Sequence, residues 1–375
     1  MLLYIHVPFC RSKCRYCAFV SKPLDMAEVE VYAAALPLEI RHFGGKLGRP
    51  KVETVYFGGG TPSLLPAWAL SRILPEIPKH FDLHPAVEWT FEANPDSAQD
   101  VAYLRSLLGY GVNRLSLGVQ SFSDASLACL GRPHNGKAAL AAVNAVRQAG
   151  FANLSLDLIW GLPGQREGAW LEELRTAVRL RPEHLSCYGL TIEPGTPLAA
   201  EAEAGGLTLP PESEQGRMYI HGAEYLEEQG YLQYEISSFA RMGFQSRHNS
   251  GYWEGRDYLG LGPGAVSTLS GVRHENPREV RDWAALAKAG RCGAGGVALS
   301  REERVREYVM LSLRTAKGLR LSLYKRLTGI DFVKENEGLL TALRQKELIR
   351  LSGGHLRLTK NGFLVSNLIL ARLSY

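Results

Sequence analysis

Six short apolar, β-branched runs recur through the first half of the chain, at Leu2–Val7, Val52–Phe57, Val87–Phe91, Arg114–Val119, Asn153–Ile159 and His184–Leu190. Between them lie longer segments of helical periodicity at Asp25–Phe43, Ala67–His80, Ala98–Leu108, Lys137–Gln148 and Glu167–Leu180. Strands separated by helices pair in parallel, because a parallel neighbour needs a long crossover, and the crossover helices then cover the sheet. Six such units predict an α/β fold, an open and partial (β/α)6 barrel. Barrels of this kind place their chemistry at the carboxyl ends of the strands, so residues with no role in a core should follow each run. They do. The first run leads to "CRSKCRYC" (10–17), the second to "GGGTP" (58–62) and the third to "EANPD" (92–96). "GVQSF" (118–122) follows the fourth, the fifth carries Asp157 and runs into "GLPGQ" (161–165), and "TIEPGTP" (191–197) follows the sixth.

The cysteines narrow the chemistry. Cys10, Cys14 and Cys17 stand close together, while Cys129, Cys187 and Cys292 are scattered, which argues for a reduced, cytoplasmic setting rather than a disulfide framework. Structural zinc commonly takes four protein ligands from paired CxxC units, and here there is one trio and no second pair. A zinc knuckle with a distant fourth ligand (His6 is available), or plain buried thiols, stay open as readings. A cubane [4Fe–4S] cluster needs one thiolate per iron. Three thiolates leave one iron free to chelate a small molecule.

Cys-x3-Cys-x2-Cys after the first strand of a partial barrel resembles the radical S-adenosylmethionine (SAM) superfamily. The resemblance implies that Cys10, Cys14 and Cys17 hold a [4Fe–4S] cluster whose open iron binds the amino and carboxylate groups of SAM. Within it, "YIHVPFC", "GGGTPS", "GVQSF", "GRPH" and "DLIWGLPGQ" resemble the coproporphyrinogen dehydrogenase (HemN-like) group along essentially the whole chain. Carried over motif by motif, the SAM contacts are Tyr4, Tyr16, Gly60, Thr61, Glu92, Gln120, Arg132 and Asp157. The residue types suit that ligand. Gly58–Gly60 allows close backbone approach, and Glu92 can take an ammonium or ribose. Gln120 and Asp157 can bind a diol, Arg132 suits a carboxylate, and Tyr16 can lie against adenine.

Two branches of the group divide at particular residues. The oxygen-independent coproporphyrinogen III oxidases carry a further cysteine where this chain has Phe19, and a long segment before the first cysteine. "HNSGYW" (248–253) matches the His-Asn-x-x-Tyr-Trp motif of the heme-chaperone branch. That branch implies a protein that binds heme, SAM and the cluster and delivers heme to apo-hemoproteins such as respiratory cytochromes. His248 then becomes the candidate heme ligand, with Tyr252 and Trp253 to pack on the porphyrin. The alternative for His248 is a brace for its loop, and the enzyme alternative is oxidative decarboxylation of coproporphyrinogen III.

The second half divides less sharply. The expected units are a radical SAM partial barrel over 1–210, an extension with the HNxxYW motif over 211–290, and a winged-helix-like α+β domain over 300–375. A helix is expected near Ser213–Gln229, a linker at Ala287–Ser300, helices at Glu302–Thr315 and Asn336–Glu347, and a hairpin over Leu348–Thr359. The N-terminal "MLLYIHVPF" lacks a basic head or cleavage site and reads as a strand, and no apolar stretch reaches the ~20 residues of a membrane span. Net charge is +5, but residues 301–375 hold fifteen Lys/Arg against seven Asp/Glu. That basic tail could meet an anionic membrane surface or an acidic partner; charge alone is weak support for nucleic acid.

Overall fold

The six runs become parallel neighbours in chain order: β1 (Leu2–Val7), β2 (Lys51–Gly59), β3 (Asp82–Ala93), β4 (Arg114–Gln120), β5 (Leu154–Trp160) and β6 (His184–Gly189). The computed structural model that shows this describes all 375 residues. Period-2 alternation gives the sheet two unlike faces. Phe91, Leu115, Leu117, Leu156 and Leu158 are fully buried under the outer helices, in a core of 58 residues. The alternate positions Glu92, Ser116, Gly118 and Asp157 face an interior cavity.

The region expected as an extension over 211–290 adds strands to both edges of this sheet. β7 (Leu232–Gln233) and β8 (Ser238–Ala240) add antiparallel strands beside β6. β9 (Tyr258–Leu261) pairs in parallel with β1, followed by antiparallel β10 (Val266–Leu269), β11 (Val272–Glu275) and β12 (Val297–Ala298). The result is one twelve-stranded sheet that does not close. Its core runs from Leu3 to Cys292, continuous across residue 210. Periodicity missed this because the added strands have only two to four residues each. The expected linker likewise holds the last turn of the helix Val280–Lys288, the buried Cys292 and edge strand β12.

Two other local expectations change. Ala67–His80 is two helices, Ala67–Ile73 and Glu76–His80, since Pro75 cannot continue the first. The aromatic stretch after Ser246 opens as the helix Arg247–Trp253, with the Ser246 hydroxyl accepting from the Asn249 amide. Beyond 300, the helix Arg301–Ser312 is started by a Ser300/Glu303 capping box. The hairpin Ile349–Ser352/His355–Leu358 pairs with Leu319–Arg320 as a three-stranded sheet. A core of 16 residues holds this unit together and includes Tyr219 from the barrel side. No helix is long and apolar enough to cross a membrane.

Candidate functional site

The carboxyl ends of the strands surround a cavity of about 630 Å3, and the three cysteines form one wall. Just past β1, Phe9–Cys10 pairs in parallel with Lys22–Pro23, and Leu24 N donates to Cys10 O at 2.8 Å, so the cysteine loop leaves and rejoins the body at one place. Within it, Cys17 N donates to Cys14 O at 3.2 Å and turns the second and third thiols inward. All three thiols line the cavity, yet no three His, Cys, Asp or Glu side chains converge closely enough to share one ion. A single tetrahedral zinc needs such convergence; a cubane, with each thiolate on its own iron, does not. Burial pushes the Cys10 and Cys17 thiols above their ordinary range, with Thr61 Oγ1 donating to Cys10 Sγ at 3.7 Å. Bound iron would take these sulfurs as thiolates.

Opposite the cysteines, "GGGTP" is shaped by close packing. Gly59 has φ of +108°, and a Cβ on Gly60 would lie 2.6 Å from the Phe9 carbonyl. Gly60 N donates to Val7 O and Thr61 N to Phe9 O, each at 2.7 Å, which fixes this segment under the cysteine loop. The glycines therefore serve the backbone first and any ligand second.

Two carboxylates form the bottom of the cavity. Glu92 accepts from Tyr56 Oη at 2.6 Å and from Gly59 N at 3.2 Å, and burial pushes it up to about 7. Asp157 accepts from Ser116 Oγ at 3.1 Å and Ser155 Oγ at 3.2 Å, and burial raises it too. Gln120 reaches the cavity because the β4–β5 register shifts between Leu117 and Gln120, where Gln120 takes φ of +65°. Arg132 donates to Cys14 Sγ at 3.3 Å and to Asn94 Oδ1 and Gly118 O at 2.7 Å each. Its Nε is buried with no acceptor. A donor orphaned beside three thiols is what a carboxylate-bearing ligand would satisfy, so the residues present fit SAM on a cluster. Tyr16 lines the same space, backed by Leu130, Ile159 and Leu162.

Ten of the twelve residues expected at the site thus share one cavity. Tyr4 and His248 do not line it. Tyr4 stands beside the cavity lining, half-buried, its hydroxyl 3.0 Å from His6 Nδ1 and its ring stacked on Tyr56, which in turn holds Glu92. His248 lies deeper, at the opposite end of the barrel. The carboxylate of Glu88 accepts from Arg247 N and His248 N at 3.0 Å each, and so anchors the first turn of the Arg247–Trp253 helix across the barrel floor. The imidazole shares a 2.8 Å hydrogen bond with Thr54 Oγ1 and stacks on Tyr56 at 4.9 Å, with Tyr252 edge-on. It is 1% exposed, and burial pushes its pKa down to about 3, helped by the charge of Arg114. His248, the candidate heme ligand, is thus enclosed: its Nε2 is unpartnered, but the ring is buried.

The structure also adds residues that sequence reading passed over. Asn94 joins Arg132 to Thr61 Oγ1 (2.9 Å), and Tyr56 holds Glu92. Tyr188 and Phe19, 43% and 69% exposed, make an apolar rim. Asn94 lies inside the post-strand "EANPD", and the serines in "RLSLGVQ" and "LSLDLIW" mark a polar inner face; both signals were available.

Comparison with known proteins places this geometry. The Radical SAM superfamily matches residues 4–177, and the HemN C-terminal domain matches 299–365. The heme chaperone HemW of Lactococcus lactis is 32% identical over 364 residues, 97% of this chain and 94% of its own. That of Bacillus subtilis is 35% identical over 370 residues, 97% of this chain and 96% of its own. Among solved structures, the coproporphyrinogen III oxidase HemN of Escherichia coli, described as a radical SAM enzyme, superposes with a TM-score of 0.83 at 25% identity, over 99% of this chain and 89% of that one.

Proposed function

Because the chain belongs to the heme chaperone HemW family within the radical SAM superfamily, we propose that it holds a [4Fe–4S] cluster on Cys10, Cys14 and Cys17, binds SAM beside it, and carries heme to apo-hemoproteins of respiration. The observation that carries the reading is the single cavity in which three free thiols meet the unsatisfied Arg132 and the carboxylates of Glu92 and Asp157. When bound, the cluster supplies an open iron for the amino and carboxylate groups of SAM. Tyr16, Gly60, Thr61, Glu92, Gln120, Arg132 and Asp157 surround that ligand, and Tyr4 supports it from below.

The rival is oxygen-independent coproporphyrinogen III oxidation, favoured by the fold match to HemN across nearly the whole chain. Phe19 at the position of the oxidases' further cysteine weighs against it. One preparation decides: anaerobic reconstitution with iron and sulfide, a heme titration, and a porphyrinogen assay. Four irons per chain, stoichiometric heme and no protoporphyrinogen are expected; robust protoporphyrinogen formation overturns the chaperone reading, and uptake of one zinc in place of the cluster overturns the site.

The protein works in the cytoplasm and touches anionic membrane through its C-terminal unit. There Arg350 stands directly opposite Arg357, and Arg320 opposite His355, with no ion pair to an acidic group at any of the three arginines. The facing Arg350 and Arg357 repel each other, and a bound anion would relieve that repulsion. Flotation with phosphatidylglycerol vesicles should be lost in the double variant Arg350→Glu/Arg357→Glu; equal flotation removes the membrane contact.

A further inference from the structure

Arg15 lies inside the cysteine loop but turns away from the cavity. Between Cys14 and Tyr16, which both line it, Arg15 does not. It is instead fastened to the body of the protein on three sides. Its amide donates to Leu130 O at 3.0 Å, and its carbonyl accepts from Leu198 N at 2.9 Å. The guanidinium donates to Cys129 O at 3.2 Å and pairs with Glu201. Leu198 and Glu201 belong to the helix Pro197–Glu203, just beyond the rim segment that follows β6.

The surface facing Arg15 is built to receive it. Gly131 has φ of +69°, and a Cβ there would fall 2.8 Å from Arg15 Cγ, so any larger residue would expel the side chain. Consecutive residues of "LGR" therefore grip the loop from both sides. Leu130 and Gly131 hold Arg15 on the outside, while Arg132 donates to Cys14 Sγ from within. Elsewhere the loop is loosely held: Arg11, Ser12 and Lys13 are exposed, and the only ion pair among them is Arg11 to Asp96.

An exposed ion pair contributes little to stability, and the Arg15–Glu201 pair is about one-third exposed on each side. Its use is geometric. Three thiols on an eight-residue loop must present themselves to one cubane, and a loop that wanders would have to be ordered at the moment of loading. We infer that Arg15 is a positioning residue that, with Leu130, Gly131 and Glu201, holds the three cysteines in loading geometry before iron arrives. This rests on the reading of the trio as cluster ligands. It adds a residue that acts on the cluster through the backbone rather than by touching it.

The test uses the full-length apoprotein and its reconstituted form. In Arg15→Ala, the amides of residue 15 and of Leu198 should exchange with deuterium at least tenfold faster, with the melting temperature little changed. Loading with ferrous iron and sulfide should slow about tenfold, and the electron paramagnetic resonance signal of the reduced cluster should broaden. Arg15→Lys can reach Glu201 but not Cys129 O as well, so it should recover part of the loading rate. Glu201→Gln should fall between the two. Wild-type exchange and wild-type loading in Arg15→Ala overturn the inference. If wild-type protein itself takes up no cluster, the proposed function fails, and faster exchange in Arg15→Ala still reports the clamp.

Discussion

The two ends of this barrel are made from the same inner face and do opposite things with it. At the mouth, polar side chains converge on a cavity of about 630 Å3 and leave the Arg132 Nε without a partner. At the floor, most polar side chains pair with one another: Glu88 anchors a helix, Thr54 binds His248, and Ser155 and Tyr234 enclose His184 at 2.8 Å each. Tyr56 and His248 stack between the two layers. An unpartnered atom alone does not mark the mouth, since His248 Nε2 and Arg114 Nε also lack partners; Arg132 differs in bordering open space. Motif likeness alone puts His248 and Cys14 on equal footing. Enclosure separates them.

That contrast is broken most directly by removing one group from each end. Cys10→Ser, Cys14→Ser or Cys17→Ser should abolish the cluster absorbance entirely while leaving apoprotein unfolding within about 1 kcal/mol of wild type, because serine is nearly isosteric and can still accept from Arg132 at position 14. His248→Ala should do the reverse. Loss of a stacked, hydrogen-bonded ring from a sealed layer should cost about 2–4 kcal/mol in urea unfolding, with cluster loading intact at low temperature. A His248→Ala protein of wild-type stability that has lost only heme affinity would restore the accessible-ligand reading and undo the distinction between mouth and floor.

How much of this was legible in sequence follows the length scale of each signal. The six parallel strands and their helices were readable because each buries a long periodic run, and the post-strand positions then located the cavity. The strands after 210 were not legible because β7, β8 and β9 are too short to show a period, and their position is set by pairing with β6 and β1, far away in the chain. The Arg247–Trp253 helix was read as a loop although Ser246 is a good cap, since seven residues of mixed aromatic and polar character carry no clear stripe. The enclosure of His248 was illegible for the same reason: a motif names a residue, and only packing says whether it is presented or enclosed.

The pH dependence of the mouth sharpens the comparison at smaller scale. Burial holds Glu92 near 7, so the protonated form is favoured in the apoprotein. With a folded-state value above the ordinary one, its contribution to stability is complete below about 4.5 and is lost as pH rises through 7. A ligand bearing a sulfonium charge prefers the ionised form, so SAM affinity of the reconstituted protein should rise about fivefold from pH 6 to 7, reach about tenfold near pH 8 and level off above. Glu92→Gln should bind about tenfold more weakly at pH 8 and show a flat profile. Glu39, also held near 7 but fully engaged by Gly262 N, Asn276 and Trp283, should leave SAM binding unchanged when replaced by Gln. A sloping profile in Glu92→Gln would assign the titration elsewhere.

Tyr4 lies on the line between the two ends, and Tyr4→Phe gives the finest test. If contact with SAM is direct, removing the hydroxyl should weaken binding by the amount typical of a lost hydrogen bond, about 0.5–1.5 kcal/mol. The structure directs that hydroxyl to His6 Nδ1 instead, and His6 Nε2 holds the Val20 carbonyl at the far end of the cysteine loop. The ring remains in Tyr4→Phe, so the stack on Tyr56 persists and Glu92 keeps its donor. SAM affinity should therefore stay within about twofold, while unfolding free energy drops by about 1 kcal/mol through His6. A tenfold loss of SAM affinity at unchanged stability would move Tyr4 from the supporting layer into the mouth.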